Sequence, residues 1–325
     1  MIKPYELTLE LPMDIPDGMS TTSKVWEILR ASNDGDLDRI KELVKECPGL
    51  IYATFNYAPP IYFAVREGHA TIVKYLLSAG ALDPNYGVYP FRDSLVTIAQ
   101  DRGYEEIFEL LQEYVSDPSR SRFKDEDRPI HFRRSSLQQQ FQEAVDREDL
   151  KETERLLKQD PGLVHDPTYF WGEGILMMPA KENNRELVEL LMYYGAQVPG
   201  ITKWAQFYYF EKYEMMAFLL GKGVNPNHMS WQHARILHDM AHKGNLPKAE
   251  LLLKHGAEID PIDDLYLSTP LGIAVRWGHT EMVKLLLSHG ADANKSGAPW
   301  STPLSWAQKK GHNEIARILI DAGAI

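Results

Sequence analysis

Four histidines fall within one short stretch of this 325-residue chain: His228, His233, His238 and His242. His238 and His242 stand four residues apart, so a helix would set both imidazoles on one face, where a metal could be gripped. Other strings invite chemistry and fall short of it. Asp34-Gly35-Asp36-Leu37-Asp38 opens like a calcium loop but lacks the later ligands and the closing glutamate. Acids at a helix start, favoured by the helix dipole, explain it better. Gly195-Ala196-Gln197-Val198-Pro199-Gly200 has the spacing of a phosphate loop but runs on into Ile201-Thr202, without the lysine. Arg133-Arg134-Ser135-Ser136 has the pattern of a basophilic phosphorylation site and equally that of a solvated linker. The strings G-x-S-x-G, H-E-x-x-H and paired C-x-x-C are missing. One cysteine, Cys47, gives neither an intrachain disulfide nor a thiolate cage.

The elements that must carry these residues are periodic. Gly-Ala-like pairs recur at Gly80-Ala81, Gly195-Ala196, Gly223-Val224, Gly256-Ala257, Gly290-Ala291 and Gly323-Ala324, and the last four gaps are 28, 33, 34 and 33 residues. A period near 33 means stacked supersecondary units rather than one closed core. One whole unit reads Thr269-Pro270-Leu271-Gly272-Ile273-Ala274, Gly278-His279, Val283-Lys284-Leu285-Leu286-Leu287, Gly290-Ala291-Asp292. It returns as Thr302-Pro303-Leu304-Ser305-Trp306-Ala307, Gly311-His312, Ala316-Arg317-Ile318-Leu319-Ile320, Gly323-Ala324. Thr269 predicts an N-cap, and Pro270 fits the first helical position. Gly278 ends a first helix, and a second is predicted from about Thr280 to His289.

This unit resembles the ankyrin repeat, with its T-P-L-H-x-A opening, its G-H between helices and its L-L-L-x-x-G-A-D close. The resemblance implies an all-α fold: a solenoid of stacked helix pairs with protruding β-turn fingers, whose first helices and fingers usually line the binding face. Carried back along the chain, the register gives about nine repeats. An extension or cap is expected over 1–22, repeats one to three over 23–116, a long loop or linker over 117–135, and repeats four to nine over 136–325. In the extension, the alternation of Tyr5–Leu11 predicts a short strand. The x-P-G-L/V endings at Pro48-Gly49-Leu50 and Pro161-Gly162-Leu163-Val164 resemble bacterial members of the family. By the same resemblance His238 takes the place of the repeat's own T-P-L-H histidine, and His69, His279 and His312 belong to G-H turns. No metal and no cofactor is therefore expected.

Aromatic residues mark the departures from the pattern. Seven Trp and 16 Tyr are many for such a stack. Phe207 and Pro179 stand where the repeat has the small Ala274, and the sixth repeat is short. Rule-breaking of this kind concentrates at functional or strained sites. Two readings stay open. Large rings refill a distorted core, or they wall an aromatic pocket with Arg276, His242 and Lys181 as its polar groups. The candidate ligand-binding set is Trp171, Trp204, Tyr209, Trp231, His242, Tyr266, Arg276 and Trp277. Removal of Trp231 and Tyr266 together is then expected to weaken binding and spare stability. First-helix positions Arg30, Asp34, Phe63, Arg66, Asp101, Arg102, Asp146, Lys181, Gln206, Tyr209, Asp239, His242, Arg276 and Lys309 are expected to be mostly exposed.

Composition limits the partner. The chain is 44% hydrophobic and 25% charged, ordinary for a soluble globular protein. A net charge of −11 argues against nucleic acid. The start lacks the basic and apolar run of a signal peptide, and no apolar run is long enough to span a membrane, so a cytoplasmic monomer is expected. The leading expectation is a non-enzymatic binding module or scaffold that grips a protein partner on its concave, aromatic-rich face. The alternative is an unusual enzyme or small-molecule binder at repeats five to seven, with sugar stacking on Trp171, Trp204 or Trp231 as one version.

Overall fold

The computed structural model describes residues 1–16, 18–55, 58–83, 85–88, 91–117, 130–202 and 208–325, with the side chain of Trp171 left aside. Trp204, Phe207 and Gln206 lie outside the described residues, as does most of the 117–135 connection. The chain divides into two compact units, Lys3–Phe132 and Arg133–Ile325.

The first unit opens with a 3-10 turn, Tyr5–Thr8, followed by an antiparallel hairpin of β1 (Pro12–Ile15) and β2 (Gly18–Thr21). The strand expected over Tyr5–Leu11 is therefore displaced towards the carboxyl side. The turn buries the adjacent pair Glu6 and Leu7 together, which a strand, with its side chains alternating between faces, does not do. The hairpin packs on the turn Pro48–Tyr52, where a Cβ on Gly49 would stand 2.1 Å from the Pro16 carbonyl oxygen. Farther along the chain His131 N–H donates to Pro12 O of the hairpin, and its ring faces Asp14 at 3.1 Å.

Helix pairs follow. They are α1 (Thr22–Asp34) with α2 (Leu37–Glu46), α3 (Pro60–Glu67) with α4 (Ala70–Ser78), and α5 (Leu95–Arg102) with α6 (Glu105–Val115). Short strands β3 (Gly87–Val88) and β4 (Asp93–Ser94) pair in the finger before α5. The acids of the calcium-like string serve the helices. The Asp36 carboxylate accepts the Arg39 N–H that opens α2, and Asp34 pairs with Arg30.

The second unit continues with α7 (Ser136–Asp146) and α8 (Leu150–Gln159), the single turn α9 (Tyr169–Gly172), α10 (Met177–Lys181) and α11 (Arg185–Tyr193). After β5 (Ile201–Thr202) comes α12 (Tyr213–Gly221). The remainder is β6 (Met229–Ser230), α13 (Ile236–Lys243), α14 (Leu246–Lys254), α15 (Pro270–Arg276), α16 (Thr280–Ser288), α17 (Pro303–Lys310) and α18 (Asn313–Asp321). The mostly helical architecture agrees with the expected fold class.

Pro179 does not kink a helix, because α10 begins only two residues before it. In that first turn the missing N–H would have had no intrahelical partner. Each unit has its own apolar core between its helices, with Val25 and Ile72 in the first and Leu156, Leu187, Leu252 and Leu286 in the second, all with no measurable exposure. Among the described residues no helix is long and apolar enough to cross a membrane.

Candidate functional site

The last three repeats are built from short-range rules. Thr269 caps α15 by accepting the Gly272 N–H at 3.3 Å, and Thr302 caps α17 by accepting the Ser305 N–H at 3.1 Å. At the other ends Gly244 and Gly278 adopt left-handed conformations, φ +63° and +76°, that a side chain resists. The next repeat's G-H histidine sits against each glycine. A Cβ on Gly244 would meet His279 Nδ1 at 2.8 Å, and one on Gly278 would meet His312 Cε1 at 2.9 Å. The His279 ring nitrogen Nε2 bonds the His242 carbonyl oxygen at 2.8 Å. The carboxyl ends of α13, α15 and α17 are thereby held in step, with α15 packed between the other two.

The fingers are tied with equal care. Asp263 is fully buried, and its carboxylate accepts the N–H groups of Leu265 (2.8 Å), Tyr266 (2.7 Å) and Ser268 (3.1 Å). Burial raises its pKa, against the pull of His238 and these N–H donors. His238 accepts the Arg235 N–H at Nδ1 (3.0 Å) and reaches Ser268 O through Nε2 (3.1 Å). The Ser268 hydroxyl accepts the Trp306 indole N–H at 2.8 Å. One serine thus joins three successive repeats, and it holds Tyr266 and Trp306 beside Arg276.

Arg276 is the centre of what results. Its guanidinium carbon lies 4.3 Å from the Trp277 ring centroid, 4.4 Å from Tyr266 and 5.1 Å from Trp306. Tyr266 meets Trp277 and Trp306 edge-on, at 5.4 and 6.2 Å, and His242 meets Trp277 edge-on at 4.6 Å. Lys309 stands over both Trp300 (5.3 Å) and Trp306 (5.1 Å). A desolvated cation over aromatic faces is worth about 2 kcal/mol or more, and an exposed one about 0.5–1 kcal/mol. Burial, with Lys243, His279 and Arg276 adding to it, lowers the pKa of His242 to about 4, so its ring is neutral at physiological pH. Trp277 and Trp300 remain partly exposed beside the exposed Lys309 and Lys310.

Of the residues singled out from the sequence, His242, Tyr266, Arg276 and Trp277 come together. Tyr209 does not join them. It is fully buried, and its hydroxyl donates to the Glu173 carbonyl at 2.6 Å. Trp231 is 7% exposed and Tyr266 only 2%. Both therefore carry packing, and the expectation that removing them spares stability is withdrawn. Trp204 and the Trp171 side chain lie outside the described residues. Trp300, Trp306 and Lys309 belong to the cluster but not to the predicted set. The period carried the signal, since Lys309 stands 33 residues after Arg276.

The four histidines disperse. His228 meets the Thr202 hydroxyl (2.7 Å), His233 meets Asp264 (2.9 Å), and His238 and His242 are engaged as described. Among the described residues no three His, Cys, Asp or Glu side chains are placed to hold a metal. Nor is the first-helix row mostly open. Phe63, Arg66, Asp101, Tyr209, Asp239 and Arg276 are buried, with Arg66 paired to Glu67 and Asp239 to Lys243 on their own helices.

Comparisons with known proteins agree with this architecture. The family model for a set of ankyrin repeats matches residues 204–297 and 237–325, and the single ankyrin-repeat model matches 56–87. An ankyrin repeat protein of fowlpox virus (strain NVSL) is 33% identical over 88 residues, covering 25% of this chain and 13% of its own length. The 2-5A-dependent ribonuclease of Mus musculus is 42% identical over 53 residues, covering 16% of this chain and 7% of its own. The chain thus spans a small part of each relative. With the repeat pattern, the helix pairs and the family match in agreement, the chain is an ankyrin-repeat protein.

Proposed function

We propose that this chain is a non-enzymatic binding module that holds a protein partner along the first helices and fingers of its last repeats. Ankyrin repeats are generally protein–protein interaction modules, and the family is typically non-enzymatic. The observation that carries the reading is the Arg276 cluster, where buried aromatic residues pin a guanidinium while Trp277, Trp300 and two lysines reach solvent. Aromatic and arginine anchors with locked geometry are the composition of interface hot spots. The proposed contact lies on repeats seven to nine, whereas the sequence reading centred ligand contact on repeats five to eight. Residues 1–22 act as the amino-terminal cap, since the hairpin covers the turn that closes the first repeat.

The test is position-specific photo-crosslinking of the full chain in extract of its source cell. A photoreactive residue at Trp277 or Trp300 is expected to capture a polypeptide, and one at Lys284 or Glu314, on the second helices, is not. Equal capture from both faces overturns the reading. Capture of a small metabolite in place of polypeptide favours a small-molecule binder.

A further inference from the structure

The row of first helices in the last three repeats differs in charge from the chain that carries it. The whole chain has 46 Asp and Glu against 35 Lys and Arg. Helices α13, α15 and α17 together have four Lys and Arg (Lys243, Arg276, Lys309, Lys310) and a single acid, Asp239. Lys243 donates to that acid at 2.8 Å and is neutralised by it, and Arg276 is 6% exposed, so the exposed positive charge of the row comes from Lys309 and Lys310. Helix ends alone do not demand the cations. A positive side chain at a helix carboxyl end offsets the dipole, yet α1 ends in Asp34, α3 in Glu67 and α7 in Asp146.

We infer that this basic, ring-lined face is the docking site for a carboxylate-rich segment of the partner polypeptide, one in which Asp or Glu alternates with apolar side chains. The inference rests on the binding-module reading above and adds the partner's chemistry. Lys309 is already held over the Trp300 and Trp306 rings, so little rotamer freedom is lost when it meets a carboxylate. The part-exposed Trp277 and Trp300 offer faces for the apolar side chains between the acids. The charge complementarity is local. A long polyanion would meet the field of a chain with net charge −11, whereas a short acidic segment meets only the patch.

The test uses the full chain, its tryptophan fluorescence and a short capped peptide of alternating Glu and Leu, with the matching Gln–Leu peptide as reference. The Glu–Leu peptide is expected to produce a saturable change that weakens with added salt. Lys309→Glu/Lys310→Glu is expected to weaken it at least about tenfold, because two attractive contacts become repulsive. Lys254→Glu/Lys284→Glu makes the same change in net charge on exposed second-helix positions and is expected to shift affinity less than about twofold, as distant exposed charges are screened. Circular dichroism of both variants checks that the fold is kept, and Lys309→Gln/Lys310→Gln repeats the test without repulsion. Equal binding of the Gln–Leu peptide, equal weakening by the two charge reversals, or preference for inorganic phosphate or a short oligonucleotide overturns the inference. Crosslinking at Trp277 that survives Lys309→Glu/Lys310→Glu also overturns it, while leaving the binding-module reading in place. Absence of crosslinked polypeptide at every first-helix position overturns that reading itself.

Discussion

Arg66 in α3 and Arg276 in α15 occupy the same place in their repeats, near the end of a first helix, and both are buried at 3% and 6% exposure. Their surroundings differ. Arg66 donates to Glu67 at 2.6 Å and to Asn33 at 2.8 Å, with Tyr62 and Phe63 beneath it at 5.7 and 5.4 Å. Arg276 is gripped more closely, by three rings at 4.3 to 5.1 Å, two of them tryptophans. In the first unit the cation meets a carboxylate of its own helix. In the second it sits among rings contributed by the finger before α15, by the end of α15 and by α17. The repeat fixes where a side chain stands, and the neighbouring repeats decide what it is for.

The largest expected effect tests whether those rings are core. Replacing Trp231 and Tyr266 together with alanine should cost more than about 5 kcal/mol of stability, since each buried aromatic is worth about 3–5 kcal/mol. Urea unfolding measures it, and a loss under about 1 kcal/mol would show that the rings do little packing.

Acid sensitivity is the next contrast. The first unit's helical repeats contain one histidine, His69, whereas in the second unit His228 joins the strand pair β5 and β6 from inside. Burial, aided by Arg235, lowers the pKa of His228 to about 4. The folded chain holds it neutral, so the unfolded chain takes the proton first. Stability is whole above pH ~6.5 and falls as the pH drops towards the folded value, by about 3 kcal/mol in all for this residue. The raised pKa of Asp263 works in the opposite direction. His228→Gln should therefore flatten the fall in urea midpoint between about pH 7 and about pH 4.5. An unchanged slope would place the acid sensitivity elsewhere.

Arginine-to-lysine changes sharpen the comparison directly. Arg276→Lys loses the flat guanidinium among three rings and is expected to cost about 1–2 kcal/mol. Arg66→Lys keeps a charge beside Glu67 and should cost less. The reverse order in thermal unfolding would mean that ion pairing outweighs ring contact in both places. The smallest effect is expected at Gly311→Ala, about 1 kcal/mol, where φ is +71° but no atom lies within 4 Å of the added Cβ. Gly278→Ala should cost more, because the same backbone strain is joined by the His312 ring at 2.9 Å.

Much of this was legible in the sequence because the rules involved are local. Thr269 before Pro270, a glycine after most first helices and leucines at helical spacing need only a few neighbouring residues to act, so the repeat and its register follow from the string. Four members of the ring cluster, His242, Tyr266, Arg276 and Trp277, were also within reach, since the period brings their positions side by side. Other outcomes depended on contacts made across repeats. Glu6 and Leu7 turn inward together in a 3-10 turn where their alternation suggested a strand. Pro179 is harmless because α10 starts late. Tyr209 is core because Glu173 receives its hydroxyl. Ser268, unremarkable in the string, joins His238 to Trp306. Burial and partner choice are properties of the stacked surface, set by which side chains arrive from about 33 residues away, and only the tertiary structure decides them.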